Sequence, residues 1–365
     1  MKKITLFIAG CAVALNINAS KPQKSVSPSD PSLRYTGRVE QLADGSTQFD
    51  WAGVYLETRL NGSDLDIRLS DTGKSYYNVF VDGDLHKVVQ SIGNDTIINF
   101  VSGLKGSKPH SLRIQKRTEG ETGRTTLHEL LISAKASLAE EPRTRTRLIE
   151  IIGNSLTAGF GTEGKDRSEP WSVETLNCDL SYSTILPRYF DADYSLIAHS
   201  GRGVARNYGD SVRTSAVTMK HKFLQTYDMD TLSRWDFNRY TPDLVIINLG
   251  SNDFSTEPHP YRSEFVGAYK ELIGEIREAY GQKPILCVFP PTMNAVAYPY
   301  MEEIVRDLSD PDVHLVRLPD LMMNNTTDLG SVWHPNYNGQ RKMAMCLIPV
   351  VSTITGWEIS SKPIK

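Results

Sequence analysis

The chain has 365 residues, of which 39% are apolar and 23% are charged, and its formal net charge is −3. Such a length is sufficient for two hydrophobic cores. Charges of both signs are mixed along the sequence without a basic stripe, which is not the pattern of a protein that binds nucleic acid or an anionic membrane surface. The composition favours a folded protein with an uncharged partner.

The N-terminal segment has the pattern of a secretory signal. Lysines precede an apolar run, Ile4 to Leu15, and small or polar residues follow up to Ala19. A spanning helix needs roughly 20 apolar residues, more than this run has. We predict a signal peptide over residues 1–19 and export of the protein to the periplasm or the medium of a bacterium. Cys11 leaves a lipoprotein anchor as the alternative, which its place in the middle of the apolar run disfavours.

The remaining cysteines, Cys178, Cys287 and Cys346, are odd in number and lack the spacing of metal ligands. Cys287 and Cys346 lie in apolar runs, which predicts packed core thiols. One disulfide that involves Cys178 stays open. We therefore expect no disulfide framework, no metal and no cofactor.

Residues 20–33 are rich in Ser, Pro and Lys and lack apolar periodicity, which predicts a flexible linker. From residue 34 to 137, apolar residues recur with a period of two, as in half-buried strands. Asn61-Gly62 and Asp82-Gly83 separate such runs and favour antiparallel pairing. This segment is predicted to be a β-sandwich of jelly-roll type. Its strand-like runs are residues 54–60, 65–69, 77–81, 97–101, 112–114 and 127–132.

After a polar stretch the period changes, and residues 146–358 alternate short apolar runs with longer segments. The residues from Phe265 to Ile276 carry the clearest helical stripe. Strands that alternate with helices predict a parallel sheet covered on both faces, in a three-layer α/β/α domain. The strand-like runs are Leu148–Ile152, Tyr194–His199, Leu244–Leu249, Ile285–Phe289 and Val313–Leu318.

Ligands of such sheets bind beyond the carboxyl ends of the strands, where four polar or flexible residues stand. Ser155 follows the first run between glycines, Gly201 follows the second and Asn252 follows the third. Pro335 suits the first position of a helix and holds His334 at its entrance. Each has an ordinary explanation, such as a helix cap or a turn residue. Together they supply a nucleophile, oxyanion donors and a base for acyl transfer.

In order and wording, these four segments resemble the sequence blocks of the SGNH (GDSL-like) hydrolases. The resemblance implies that Ser155 is the nucleophile and His334 the base. It also implies an oxyanion hole formed by Ser155, Gly201 and Asn252. Asn154 stands where Asp is common in that family.

A second departure concerns the acid of the triad, because Ser331 stands three residues before the His, where the family usually has an Asp. A jelly-roll domain ahead of the hydrolase domain, with the segments Tyr77–Gly83 and Ser200–Tyr208, is similar to carbohydrate esterase family 2 over nearly all of the mature chain. That family includes members with a Ser-His dyad, and it implies removal of O-acetyl groups from xylan, mannan or glucomannan. The group that orients His334 is left open between Ser331, Asp328 and a backbone carbonyl.

Trp333, Asp253 and Arg202 are predicted to contact the substrate, an acetylated polysaccharide or oligosaccharide. Trp171 and Tyr208 also suit stacking on sugar rings, and Trp333 adjoins His334 and could limit the acyl pocket to acetyl. One alternative is a non-catalytic glycan-binding protein with a degenerate SGNH domain, which the complete set of catalytic residue types disfavours. Another is a glycosidase that uses the carboxylates of Asp253 and Glu257, although loop carboxylates are mostly solvated.

Overall fold

The computed structural model describes residues 23–365, except 107, 143–144, 320–323 and 325. The predicted signal peptide over residues 1–19 and the alternative anchor at Cys11 lie outside the described residues. Among the helices that are described, none is long and apolar enough to cross a membrane.

The N-terminal part of the chain folds into two antiparallel sheets of six strands each. One sheet has the order β3-β4-β11-β6-β9 with β1 on β11, and the other has the order β12-β5-β10-β7-β8 with β2 on β5. In β6, Leu65, Ile67 and Leu69 are buried while the residues between them are partly exposed, as one core-facing side requires. The prediction of an antiparallel β-sandwich is confirmed. The strands are β1 (Gln23–Val26), β2 (Arg34–Thr36), β3 (Glu40–Gln41), β4 (Thr47–Phe49), β5 (Tyr55–Asn61), β6 (Leu65–Asp71), β7 (Tyr76–Val81), β8 (Asp84–Gln90), β9 (Thr96–Val101), β10 (His110–Lys116), β11 (Thr125–Ser133) and β12 (Ser137–Ala139).

The two hairpin dipeptides have different outcomes. Asp82 and Gly83 both have positive φ, 52° and 91°, and they join the antiparallel pair β7 and β8, as a two-residue hairpin turn requires. The pairing predicted at Asn61-Gly62 is wrong, because β5 and β6 lie in different sheets. A Cβ atom at Gly62 would lie 2.6 Å from the Ala136 Cβ. Glycine therefore permits close packing where the chain crosses between the sheets.

Over its described part, the segment predicted to be a flexible linker differs from the prediction. Strand β1 pairs with β11, and its residues are largely exposed. An edge strand of this kind needs only backbone hydrogen bonds, so its side chains carry no apolar periodicity. Similarly, β12 lies in the polar stretch between the domains and pairs with β5.

The C-terminal part contains a parallel sheet of five strands in the order β14-β13-β15-β16-β17. In β15, Val245 and Ile247 pack with α4, whereas Leu244 and Ile246 pack with α2 and α6. Both faces of the sheet are therefore covered, and the predicted α/β/α domain is confirmed. Its elements are β13 (Arg147–Gly153), α1 (Ser155–Ala158), α2 (Tyr182–Tyr189), β14 (Ala192–Ala198), α3 (Met219–Phe223), β15 (Leu244–Asn248), α4 (Arg262–Tyr280), β16 (Ile285–Phe289), α5 (Tyr298–Leu308), β17 (Val313–Arg317) and α6 (Tyr337–Thr355).

Two cysteines of the described chain, Cys178 and Cys287, are free thiols. Cys178 and Cys287 are buried and Cys346 is partly buried. Burial raises the pKa of Cys178 to about 12 and that of Cys287 to about 12. The disulfide left open for Cys178 is therefore not present, and these thiols act as small apolar side chains of the core.

Candidate active site

Ser155 is the first residue of α1 and follows β13 across a tight turn. The Asn154 side chain caps α1 by accepting a hydrogen bond from the Leu156 N–H at 3.1 Å. A Cβ atom at Gly153 would lie 2.0 Å from the Thr157 Oγ1, so this turn requires glycine. The first N–H groups of a helix have no acceptor within the helix, which leaves the Ser155 N–H available to a ligand.

His334 contacts Ser155 directly, with 2.9 Å between the His334 Nε2 and the Ser155 Oγ. The other ring nitrogen, Nδ1, lies 2.8 Å from the carbonyl oxygen of Val332. A carbonyl only accepts hydrogen bonds, so Nδ1 carries the proton and Nε2 is free to accept the Ser155 proton. Burial lowers the pKa of His334, while its hydrogen bonds with the backbone of Val332 and Ser331 oppose that shift. The lowered pKa favours the neutral imidazole, which is the form that a general base needs.

The Val332 carbonyl is presented by an unusual backbone. Val332 and Trp333 have φ of 52° and 61°, a region that a β-branched residue rarely adopts. Both N–H groups are held by the loop that follows α1, through the carbonyls of Glu169 at 3.1 Å and Arg167 at 3.2 Å. These contacts stabilise the turn that points the Val332 carbonyl at His334.

The two side chains considered as partners of His334 make other contacts. The Ser331 Oγ is buried and donates a hydrogen bond to the Thr175 Oγ1 at 3.4 Å. The Asp328 carboxylate accepts hydrogen bonds from the Lys342 Nζ at 2.6 Å and the Thr327 hydroxyl at 2.9 Å. Within the described ranges, no carboxylate is bonded to the His334 ring. Of the three groups left open by the sequence, only the backbone carbonyl contacts the ring.

Gly201 and Asn252 follow the strands on either side of β13. The register aligns Gly153 with Ala198 of β14 and with Asn248 of β15, so the loops after these strands leave the same edge of the sheet. One N–H of the Asn252 carboxamide donates a hydrogen bond to the Arg202 carbonyl at 2.8 Å, which leaves the second free. The N–H of Gly201, whose φ is 74°, has no acceptor among the described residues. These donors and the Ser155 N–H suit an oxyanion hole.

The prediction that Asp253 contacts the substrate is wrong. Its side chain is fully buried, and its carboxylate accepts the N–H groups of Val204 at 3.1 Å, Ala205 at 2.7 Å and Arg206 at 2.9 Å. Burial raises the pKa of Asp253 to about 6, and the three hydrogen bonds oppose this rise. Asp253 therefore ties the loop after β14 to the loop after β15. The alternative of a glycosidase that uses the carboxylates of Asp253 and Glu257 is therefore disfavoured, because the Asp253 carboxylate is not available to a substrate.

Aromatic side chains border the Ser155 and His334 pair. The Phe160 ring lies 4.5 Å from the His334 ring and 6.4 Å from that of Trp171. Trp171, Tyr208 and Trp333 are 49%, 63% and 58% exposed, so each has a face available for stacking. No feature of the sequence singled out Phe160 or the carbonyl of Val332.

The two remaining residues predicted to contact the substrate, Trp333 and Arg202, lie on different loops. The Trp333 ring is covered on one side by the Arg167 guanidinium at 4.4 Å. Arg202 is partly exposed, and its guanidinium makes no hydrogen bond within the described part of the chain. Both side chains are free to contact a ligand.

Two family models match the chain, and together they cover most of both domains. The model described as carbohydrate esterase 2 N-terminal matches residues 35–142. The model of the GDSL-like lipase/acylhydrolase family matches residues 151–342.

The chain is similar to several curated bacterial proteins. It is 29% identical over 335 residues to the cellulase/esterase CelE of Acetivibrio thermocellus, which covers 90% of this chain and 40% of that relative. The chain thus spans less than half the length of that relative. It is 25% identical to an acetylxylan esterase / glucomannan deacetylase of Cellvibrio japonicus, with 96% of each covered.

Solved structures show the same architecture. A family two carbohydrate esterase from Clostridium thermocellum, in complex with cellohexaose, has a TM-score of 0.83 at 29% identity and covers 89% of this chain and 100% of that one. A family two carbohydrate esterase from Cellvibrio japonicus has a TM-score of 0.81 at 25% identity and covers 92% and 99%.

Proposed function

Because the chain belongs to the GDSL-like lipase/acylhydrolase family and carries the N-terminal domain of carbohydrate esterase family 2, we propose that it removes O-acetyl groups from plant cell-wall polysaccharide as a serine esterase. The contact of 2.9 Å between the Ser155 Oγ and the His334 Nε2 carries this proposal. The relatives named acetylxylan esterase / glucomannan deacetylase support xylan or glucomannan as the substrate class.

In the first half of the reaction, the Ser155 Oγ attacks the acetyl carbonyl carbon while the His334 Nε2 takes the hydroxyl proton. The resulting oxyanion receives hydrogen bonds from the N–H groups of Ser155 and Gly201 and from the free N–H of Asn252. When the tetrahedral intermediate collapses, the bond to the sugar oxygen breaks and His334 gives its proton to that oxygen. The polysaccharide leaves and the acetyl group stays on Ser155.

In the second half, water replaces the sugar. His334 takes a proton from the water as its oxygen attacks the acetyl carbon, and the same donors stabilise the second oxyanion. Collapse breaks the bond to the Ser155 Oγ, which regains a proton from His334, and acetate is released. No cofactor takes part in either half.

The proposed catalytic unit is a Ser-His dyad. The Val332 carbonyl takes the place of the triad carboxylate, because it accepts the Nδ1 proton of His334 and thereby fixes the tautomer. It lacks the full negative charge that would stabilise an imidazolium, although the carbonyl dipole presents its negative end to the ring.

The exposed rings of Trp171, Tyr208 and Trp333 are proposed to stack on sugar units next to the acetylated one, and the Arg202 guanidinium to donate to sugar hydroxyls. Phe160, whose ring lies 4.5 Å from the His334 ring, and Trp333, which adjoins His334 in the chain, are proposed to favour an acetyl group over longer acyl chains. Export to the periplasm or the medium, which the N-terminal sequence supports, would bring the enzyme to such a substrate.

Acetate release from acetylated xylan, glucomannan and pectin tests this function. We expect release from xylan or glucomannan by the native protein and none above background by Ser155→Ala. Glycan binding without acetate release from any of the three would instead establish a non-catalytic glycan-binding protein.

A further inference from the structure

One carboxylate of the β-sandwich domain contacts the loop that follows β14. Glu119 lies between β10 and β11, and its side chain is completely buried. Its Oε2 accepts the backbone N–H of Ser200 at 2.6 Å, and its Oε1 accepts the hydroxyl of the same residue. A residue of one domain thus holds a single residue of the other at two points.

The segment around Glu119 is itself firmly placed. The Lys116 Nζ donates a hydrogen bond to the Glu119 carbonyl at 2.8 Å. The following turn is pressed against the hydrolase domain, since a Cβ atom at Gly120 would lie 2.5 Å from the Asp228 Cβ. The Asp228 N–H in turn donates to the Asp50 Oδ1 at 2.8 Å. A side chain anchored in this way can serve as a fixed support for its partner.

Ser200 directly precedes Gly201, so the peptide plane between them sets the direction of the Gly201 N–H. The Gly201 carbonyl, which belongs to the next peptide group, accepts a hydrogen bond from the Tyr208 N–H at 2.8 Å. The next carbonyl, that of Arg202, accepts the Asn252 carboxamide at 2.8 Å. The donors at Tyr208 and Asn252 belong to the hydrolase domain, whereas the carboxylate that holds Ser200 belongs to the sandwich.

The surroundings of Glu119 are compatible with its two hydrogen bonds. Burial raises the pKa of Glu119 to about 7, and the charge of His199 opposes this rise. Although burial by itself disfavours the imidazolium, the Asp228 carboxylate raises the pKa of His199 to about 9. When protonated, Glu119 still has one acceptor and one donor for the N–H and hydroxyl of Ser200, because a hydroxyl can also accept.

We propose that Glu119 is a positioning residue for acyl transfer, through which the β-sandwich holds the Ser200–Gly201 peptide so that the Gly201 N–H meets the oxyanion. This inference rests on the proposed esterase function. It makes the sandwich a part of the catalytic unit, distinct from any role in glycan binding.

Two substitutions distinguish the effect of the length of the Glu119 side chain from the effect of its charge. Glu119→Asp keeps the charge, but its side chain is shorter by one methylene and cannot keep both contacts with Ser200. We expect kcat for p-nitrophenyl acetate to fall by about 10- to 100-fold with KM within about threefold, because the misplaced donor acts on the transition state. Glu119→Gln loses the charge but keeps the reach, and kcat should stay within about fivefold. A role limited to charge balance with His199 predicts the opposite order.

Glu121→Gln is the matched control, since this carboxylate lies in the same turn, is 38% exposed and faces the His199 Nε2 at 3.4 Å. Its kcat should stay within about twofold of the native value. The second readout is hydrogen exchange of the Ser200 amide, which should be protected in the native protein and in Glu119→Gln and should exchange faster in Glu119→Asp.

The outcomes distinguish this inference from the proposed function. With an active native protein, an unchanged kcat in folded Glu119→Asp, or equal losses in the Asp and Gln variants, would overturn the positioning role. If the native protein hydrolyses no acetyl ester, the proposed function fails and the role in acyl transfer fails with it, and hydrogen exchange then decides only whether Glu119 holds the Ser200 amide. Faster exchange at Ser200 only in Glu119→Asp then supports this contact, and unchanged exchange overturns it.

Discussion

The carbonyl oxygen of Val332 lies 2.8 Å from the Nδ1 of His334, where a catalytic triad would place a carboxylate. A backbone group cannot be removed by substitution, and it is positioned only as well as the turn that carries it. The consequences of this relationship can be tested at its neighbours.

The first prediction concerns the side chains that could replace this carbonyl. Neutralising the Asp of a working Ser-His-Asp triad costs about 10⁴-fold in turnover. Because Asp328 and Ser331 bond elsewhere, we expect Asp328→Asn and Ser331→Ala to lower kcat for p-nitrophenyl acetate by less than about tenfold. His334→Ala should abolish activity. A collapse of kcat in Asp328→Asn that remains folded would show that a displaced triad operates.

The second prediction concerns the turn itself. Val332→Gly should keep kcat within about threefold, because glycine adopts the φ of 52° freely and Val332 is 41% exposed. Val332→Pro should lower kcat by about 10²-fold or more, since proline fixes φ near −65° and removes the N–H bonded to Glu169. Thermal unfolding of both variants provides the check on folding. A fully active Pro variant would show that the carbonyl is dispensable.

The third prediction concerns the proposed nucleophile, Ser155. Ser155→Ala should lower turnover of acetylated xylan by about 10⁴-fold or more, leaving only what binding and the oxyanion hole contribute. Ser263→Ala, an exposed serine at the start of α4, is the control and should be fully active. Substantial acetate release by Ser155→Ala would mean that another group attacks the ester.

The fourth prediction concerns the oxyanion. The loss of one donor typically costs about 10²–10³ in kcat, and we expect Asn252→Ala to fall in this range with a smaller effect on KM. Steady-state kinetics with p-nitrophenyl acetate measure both parameters. Since the Asn252 carboxamide also holds the Arg202 carbonyl, hydrogen exchange of that loop should accompany the kinetics. Unchanged turnover would remove Asn252 from the mechanism.

The fifth prediction concerns pH. The proposed base, His334, must be neutral to accept the Ser155 proton, and burial lowers the pKa of His334 from its usual value of 6.5. The neutral form therefore persists to lower pH than in a free histidine, and kcat/KM should fall on acidification with a midpoint below about 6.5. A pH profile of kcat/KM measures this midpoint. A midpoint above pH 7 would contradict the assignment.

Much of the fold could be predicted from local pattern. The runs that form β15 and β16 are almost entirely apolar because every residue of these two central strands is buried. The alternating runs predicted the sandwich in the same way, since one face of each strand meets the core. The pairing of the strands was harder to predict. Asn61-Gly62 has the composition of a hairpin turn, yet β5 and β6 pair with strands that are distant in the sequence.

For the candidate site, the order of the residues along the chain was enough to predict which of them follow each strand, and hence that Ser155, Gly201 and Asn252 share one edge of the sheet. The folded structure was needed to show that His334 contacts Ser155 from a position 179 residues away and that the Val332 carbonyl is the second partner of the His334 ring. It also decided that Asp253 is buried and that Glu119 reaches across from the other domain. Such contacts depend on where separate loops meet and on backbone angles that the side chains do not determine. A local sequence pattern therefore does not predict them.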